Sequence, residues 1–77
     1  MQVTMYTTPT CGYCKQAKTY LNGLGISVKE IDISKNSRAA DEIVRKTGQT
    51  GVPVIVIKGN TIVGFDKNRI NRLLGVN

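Results

Sequence analysis

Four consecutive β-branched residues, Val54-Ile55-Val56-Ile57, constrain this chain more than any other segment. A strand with one wet face alternates apolar and polar side chains, whereas an unbroken apolar run suits a strand covered on both faces. The run therefore predicts a sheet lying between helical layers. The chain has only 77 residues, so residues 1–77 are expected to form one domain, with no room for a second folded unit. A domain this small buries only about 60% of its unfolded surface. With 40% hydrophobic residues it can still hold one small core.

The other periodicities supply the layers. Val3-Thr4-Met5-Tyr6 alternates and is rich in strand formers. Pro9 and Gly12 punctuate a loop. From Tyr13 onward, Tyr13, Ala17, Tyr20, Leu21 and Leu24 have the spacing of one helical face, and Asn22-Gly23 with Gly25 provide its stop. Ile26 to Ile33 predicts a second strand. Asn36 or Ser37 suits the cap of a second helix. That helix would turn Ala40, Ile43, Val44 and Thr47 inward and end at Gly48. Asp41 and Glu42 are expected near its start and Arg45 and Lys46 near its end, matching the helix dipole. Lys58-Gly59-Asn60-Thr61 is turn chemistry, Ile62-Val63 begins a returning strand, and Ile70, Leu73 and Leu74 stripe a short final helix. The order βαβ, α, ββα combines a parallel crossover with an antiparallel hairpin. It predicts an α/β fold with a four-stranded mixed sheet flanked by three helices.

Composition removes several chemistries. The chain has no histidine, so neither a Ser-His nor a Cys-His pair is available, and imidazole metal ligands are absent. Its two cysteines cannot complete a four-ligand zinc site within one chain, and no metal site is expected. The net charge of +6 invites a nucleic-acid reading, but the basic residues are dispersed and the few aromatics do not interleave with them. No nucleic-acid partner is expected; the charge suits solubility or acidic partners. Met1-Gln2-Val3-Thr4-Met5 has no signal-peptide pattern, and Val52 to Ile57 is far too short to span a bilayer. The chain is therefore expected to be cytoplasmic, without membrane contact. In that reducing compartment two close cysteines suggest catalysis or metal binding rather than a structural bridge.

Those cysteines stand in Cys11-Gly12-Tyr13-Cys14, at a loop-to-helix junction. If a helix begins near Cys11, positions i and i+3 share a face with Cβ atoms about 5–6 Å apart. Disulfide closure asks for a Cα separation of about 4.4–6.8 Å, so the pair could pass between dithiol and disulfide with little backbone motion. At the helix start, free N–H groups and the positive dipole end favour a Cys11 thiolate, and Lys15 adds charge. Such surroundings bring a thiol from about 8.5 into a range of roughly 3.5–7.5. Cys14, one turn inside, is expected to be more buried and less acidic. Cys11 would then attack a disulfide, and Cys14 would resolve the resulting mixed disulfide. Two alternatives stand beside this. A purely structural bridge would close too short a loop to constrain the unfolded chain much. A metal site would need ligands from a second chain or a small thiol.

With these residues the chain resembles the glutaredoxins, of the thioredoxin-like fold, over nearly its full length. The resemblance rests on Tyr6 closing the first strand, the Cys11-Gly12-Tyr13-Cys14 motif, Gly51-Val52-Pro53 before the core strand, and Gly64-Phe65-Asp66 before the last helix. It implies a cis Val52–Pro53 bond beside Cys11, with the Val52 backbone pairing with an extended thiol such as glutathione. It implies a second wall at Gly64, Phe65 and Asp66, with helix-start N–H groups for the γ-glutamyl carboxylate and Asp66 for its ammonium. Asp66 can equally be a helix N-cap, and both readings are compatible. Tyr13 would flank the thiols, and Thr8 and Lys15 complete the expected substrate-binding residues. Glutathione is the implied co-substrate, with no tightly bound cofactor. The implied partners are glutathione and disulfide-containing proteins, met as a monomer.

Several residues depart from the family pattern. Gly12 replaces a frequent proline; some glycine or serine variants bridge an iron–sulfur cluster between two monomers, so a dimeric cluster carrier is an alternative. Tyr6-Thr7-Thr8-Pro9-Thr10 lacks the lysine that often holds the glycyl carboxylate of glutathione. Asp66 is followed by Lys67 rather than a second aspartate, and Gln49 stands near a frequent arginine. Gly64-Phe65 and Ile70-Asn71-Arg72-Leu73 are similar to NrdH-type redoxins, which take electrons from thioredoxin reductase and feed ribonucleotide reductase. Their Ser-Gly-Phe-Arg-Pro signature is not present: Val63-Gly64-Phe65-Asp66-Lys67 stands there.

Overall fold

The computed structural model describes residues 2–49 and 51–76. Its elements run β1 (Gln2–Thr7), α1 (Gly12–Gly23), β2 (Ser27–Asp32), α2 (Ser37–Thr47), β3 (Val54–Ile57), β4 (Asn60–Val63) and α3 (Lys67–Leu74). The sheet order is β2-β1-β3-β4. Strand β1 pairs in parallel with β2 (Tyr6 opposite Ile31) and antiparallel with β3 (Met5 opposite Ile55), and β3 pairs antiparallel with β4. The four-stranded mixed sheet and three helices are those of a thioredoxin-like α/β fold.

The β-branched run does have two covered faces. Ile55 and Ile57, with Val3, Met5 and Ile62, meet Ala17 and Leu21 of α1 and Ile70 of α3. On the other face Val54 and Tyr6 meet Ala39 and Ile43 of α2. Fully burying one such aliphatic side chain contributes about 1.5–3 kcal/mol, so these central residues dominate the stability of a small core. Because β1 is central, the loop that follows it opens at mid-sheet, between β2 on one flank and β3–β4 on the other.

Four expectations need correction. Helix α1 turns Cys14, Ala17 and Leu21 inward, while Tyr13 and Leu24, assigned to the apolar face, are 66% and 40% exposed. The helix begins at Gly12, and its buried stripe is phased on Cys14. Strand β2 is shorter than Ile26 to Ile33 at both ends. Helix α2 is capped by Asn36, whose Oδ1 accepts from the Ala39 N–H at 3.0 Å. Starting at Ser37, it turns Ala39 and Ile43 inward, exposes Val44, and leaves its first turn without acids; Asp41 and Glu42 lie mid-helix, where Glu42 pairs with Lys46 at 3.6 Å. The hairpin turn is also tighter than four residues. Lys58 and Gly59 both have positive φ (51° and 79°), a two-residue connection that lets Asn60 and Thr61 join β4.

Candidate active site

Cys11 and Cys14 form a disulfide with their Cα atoms 5.3 Å apart. The local chain explains the placement. After β1, the Cys11 N–H donates to the Thr8 carbonyl at 3.3 Å, a turn that delivers Cys11 as the N-cap of α1. Its Sγ takes the role of a capping oxygen and accepts from the Cys14 N–H at 3.1 Å. Cys11 is half-buried at the core edge, whereas Cys14 is only 2% exposed. The two sulfurs therefore differ in access and in hydrogen bonding. Reduction of this disulfide gives two thiols, one on the partly exposed N-cap residue of α1 and one on a buried residue of its first turn.

One flank is built from β3 and β4. The Val52–Pro53 peptide bond is cis, Pro53 is buried, and Val52, like Cys11 and Phe65, is partly buried against the larger core cluster. Val54 lies opposite Tyr6, so the proline loop enters the sheet where β1 ends. The Pro53 carbonyl accepts from the Gly64 N–H at 2.8 Å, which ties the second wall to the proline loop. Gly64 has φ +83°, in the left-handed region that glycine enters without strain. Asp66 caps α3, its Oδ1 accepting from the Arg69 N–H at 3.2 Å. Val52, Pro53, Gly64, Phe65 and Asp66 thus lie together on this side. Tyr13 projects from the first turn of α1 into solvent.

The other flank holds a groove of about 300 Å³ lined by Thr7, Thr8, Pro9, Cys14, Lys15, Glu30 and Asp32. Thr8 and Lys15 belong here, separate from the β3–β4 wall. Glu30 pairs with Lys18 at 2.8 Å. Asp32 is held below the ordinary carboxyl range, chiefly because its Oδ1 accepts from the Ser34 hydroxyl at 2.6 Å, with the Ser34 N–H and the nearby Lys35 adding to the effect. Gln49 is exposed after the C-cap of α2. Among the described residues no three or more His, Cys, Asp or Glu side chains cluster as a metal site, and no helix is long and apolar enough to cross a membrane.

Sequence reasoning missed two features. One is the share of Glu30 and Asp32 in the groove, which depends on the parallel register of β1 and β2. The other is Tyr20, read only as part of an apolar stripe. Its ring lies 5.8 Å from that of Phe65, its hydroxyl hydrogen-bonds Asn71 Oδ1, and Lys67 Nζ sits 4.7 Å above it. Tyr20 therefore braces the Gly64–Asp66 wall from α1, a role visible only once α1 and α3 lie side by side.

The Glutaredoxin family model matches residues 3–62. Glutaredoxin 3 of Escherichia coli K12 is 39% identical over 64 residues, covering 83% of this chain and 77% of that protein. The E. coli glutaredoxin-like protein NrdH-redoxin, solved in a study of its thioredoxin-like activity profile, superposes with a TM-score of 0.80 at 29% identity, covering 95% of both chains. A buckwheat glutaredoxin–glutathione complex gives a TM-score of 0.79 at 28% identity, covering 95% of this chain and 73% of the other.

Proposed function

Because this chain belongs to the glutaredoxin family and is a thiol–disulfide oxidoreductase, we propose that it acts as a dithiol enzyme reduced by glutathione. The observation that carries the proposal is the asymmetry of the pair: Cys11 caps α1 at the surface while Cys14 is buried one turn on. The Cys11 thiolate attacks one sulfur of a protein or glutathione mixed disulfide, and the other sulfur leaves as a thiolate. Cys14 then attacks Cys11 Sγ, which releases the second thiol and leaves the Cys11–Cys14 disulfide. Two glutathione molecules return the pair to the dithiol, becoming glutathione disulfide. The Val52 backbone, the Gly64-Phe65 segment and Asp66 form the wall against which glutathione lies, with Tyr13 beside it. Thr8 and Lys15 border the opposite edge.

Trapping tests the roles. Cys14→Ser treated with glutathione disulfide should hold glutathione on Cys11, as read by peptide mass spectrometry. Cys11→Ser should hold none on Cys14. Glutathione on Cys14 instead would overturn the assignment.

A second reading is reduction by thioredoxin reductase, as in NrdH-type redoxins, with ribonucleotide reductase as recipient. Two observations favour it: the uncharged Thr7-Thr8-Pro9-Thr10 stretch before the motif, and the match to NrdH-redoxin over 95% of both chains.

A further inference from the structure

Helix α3 carries the densest positive charge next to the wall of the site. Lys67, Arg69 and Arg72 fall within its eight residues, and no acid lies in its first turn. Among the described residues the ion pairs are Lys18–Glu30 and Lys46–Glu42, and neither involves α3. Lys67 is held over the Tyr20 ring, whereas Arg69 and Arg72 are exposed and border a hollow of about 110 Å³ floored by Leu73. Arg69 and Arg72 stand at i and i+3, so both guanidinium groups rise from one helix face. Cations gain nothing from the positive end of a helix dipole, so helix stability does not account for Arg69. Two forked donors beside an aliphatic floor suit a carboxylate side chain followed by an apolar one.

We propose that the Arg69–Arg72–Leu73 face of α3 docks an acidic segment flanking the target disulfide of a substrate protein. The face begins one turn beyond Asp66, and the preceding Gly64 is tied to the cis-proline loop, which enters β3 opposite the end of β1 (Tyr6 opposite Val54) where the turn to Cys11 starts. A segment seated there continues directly into the site, and the surplus charge of +6 steers acidic partners toward it. The docking speeds the first exchange only: Cys11 Sγ bonds one substrate sulfur while the other leaves as a thiolate. Cys14 then attacks Cys11 Sγ and displaces the bound sulfur, so the protein dithiol is oxidised and the substrate disulfide is reduced to two thiols. It rests on the Cys11-first exchange of the preceding reading, and not on glutathione as electron source.

The test uses the reduced full chain and two disulfide-looped peptides that differ only in a flanking Glu-Glu-Leu or Gln-Gln-Leu. At low salt the acidic peptide should react about three- to tenfold faster, and high salt should erase the difference. Arg69→Gln/Arg72→Gln should abolish that preference. Arg38→Gln/Arg45→Gln, which removes the same charge from α2 on the opposite sheet face, should keep most of it. Equal rates for the two peptides, a preference that survives Arg69→Gln/Arg72→Gln, or equal loss in both double variants would overturn the proposal. Bis(2-hydroxyethyl) disulfide, small and neutral, should be reduced equally by all forms. A fall there in Arg69→Gln/Arg72→Gln would locate the defect in the exchange chemistry and overturn docking as its cause.

Discussion

The Cys14 backbone N–H donates to Cys11 Sγ at 3.1 Å, so the more accessible sulfur of the pair is also the one that caps α1. A donor aimed at a sulfur favours its anion, and the positive end of α1 acts in the same direction. With Cys11 as the proposed nucleophile, nucleophile and electrostatic support converge on one atom without any imidazole.

Once the pair is reduced, the Cys11 thiol should ionise below the ordinary thiol value of about 8.5. Only the thiolate attacks, so alkylation by iodoacetamide should rise through the Cys11 pKa and level off above it. In Cys14→Ala the midpoint of that rise should lie well below that of free cysteine.

The two cysteines should fail differently. Cys11→Ser should abolish reduction of every disulfide. Cys14→Ser should abolish reduction of protein disulfides but spare release of glutathione from glutathionylated peptides, where a second glutathione can resolve the intermediate. Assays with both substrate types on both variants check this.

At Gly64 the constraint is backbone conformation. An added Cβ would meet nothing within 4 Å, but φ is +83°. Gly64→Ala should therefore destabilise the fold by about 1–2 kcal/mol through backbone strain alone. It should also raise KM for glutathionylated substrate by loosening the Gly64–Pro53 bond. Urea unfolding and steady-state kinetics separate the two effects.

Tyr20 should matter in steps. Tyr20→Phe keeps the ring against Phe65 and Lys67 but loses the Asn71 bond, at a cost of about 0.5–1.5 kcal/mol. Tyr20→Leu also loses the ring contacts, each about 0.5–1.5 kcal/mol, and should raise KM more than it lowers kcat. Urea unfolding with steady-state kinetics on both variants reads the series.

Asp32 links the groove to acid stability. Its folded pKa lies below 3.8, so it contributes stability above its unfolded pKa, and that contribution is lost as pH falls through the folded value. Carboxyl-carbon NMR should find Asp32 titrating below 3.8 and Ser34→Ala moving it upward, and the stability that Ser34→Ala removes near pH 7 should fade at low pH, where Asp32 is protonated in both states.

Much of this was legible in the sequence because it rests on local chemistry. Val54–Ile57 announced a doubly covered strand, and Cys11-Gly12-Tyr13-Cys14 announced an exchanging pair. The errors arose where tertiary packing sets the phase. Tyr13 fitted both an inward stripe and a place beside the thiols until Cys14 was counted as core, and Val44 looked inward until the start of α2 at Ser37 set its phase. Lys58 gave no sign of its positive φ, because only a tight hairpin forces it. The bracing role of Tyr20 and the groove at Glu30 and Asp32 required knowing which elements are neighbours across the sheet.

The most direct test concerns the electron source. Oxidised protein is mixed with NADPH and a disulfide substrate, and separately supplied with glutathione plus glutathione reductase or with thioredoxin reductase alone. Steady NADPH loss in the glutathione mixture, abolished by Cys11→Ser, is the expected result. Turnover only with thioredoxin reductase would contradict the glutathione assignment and leave the NrdH-type reading in its place.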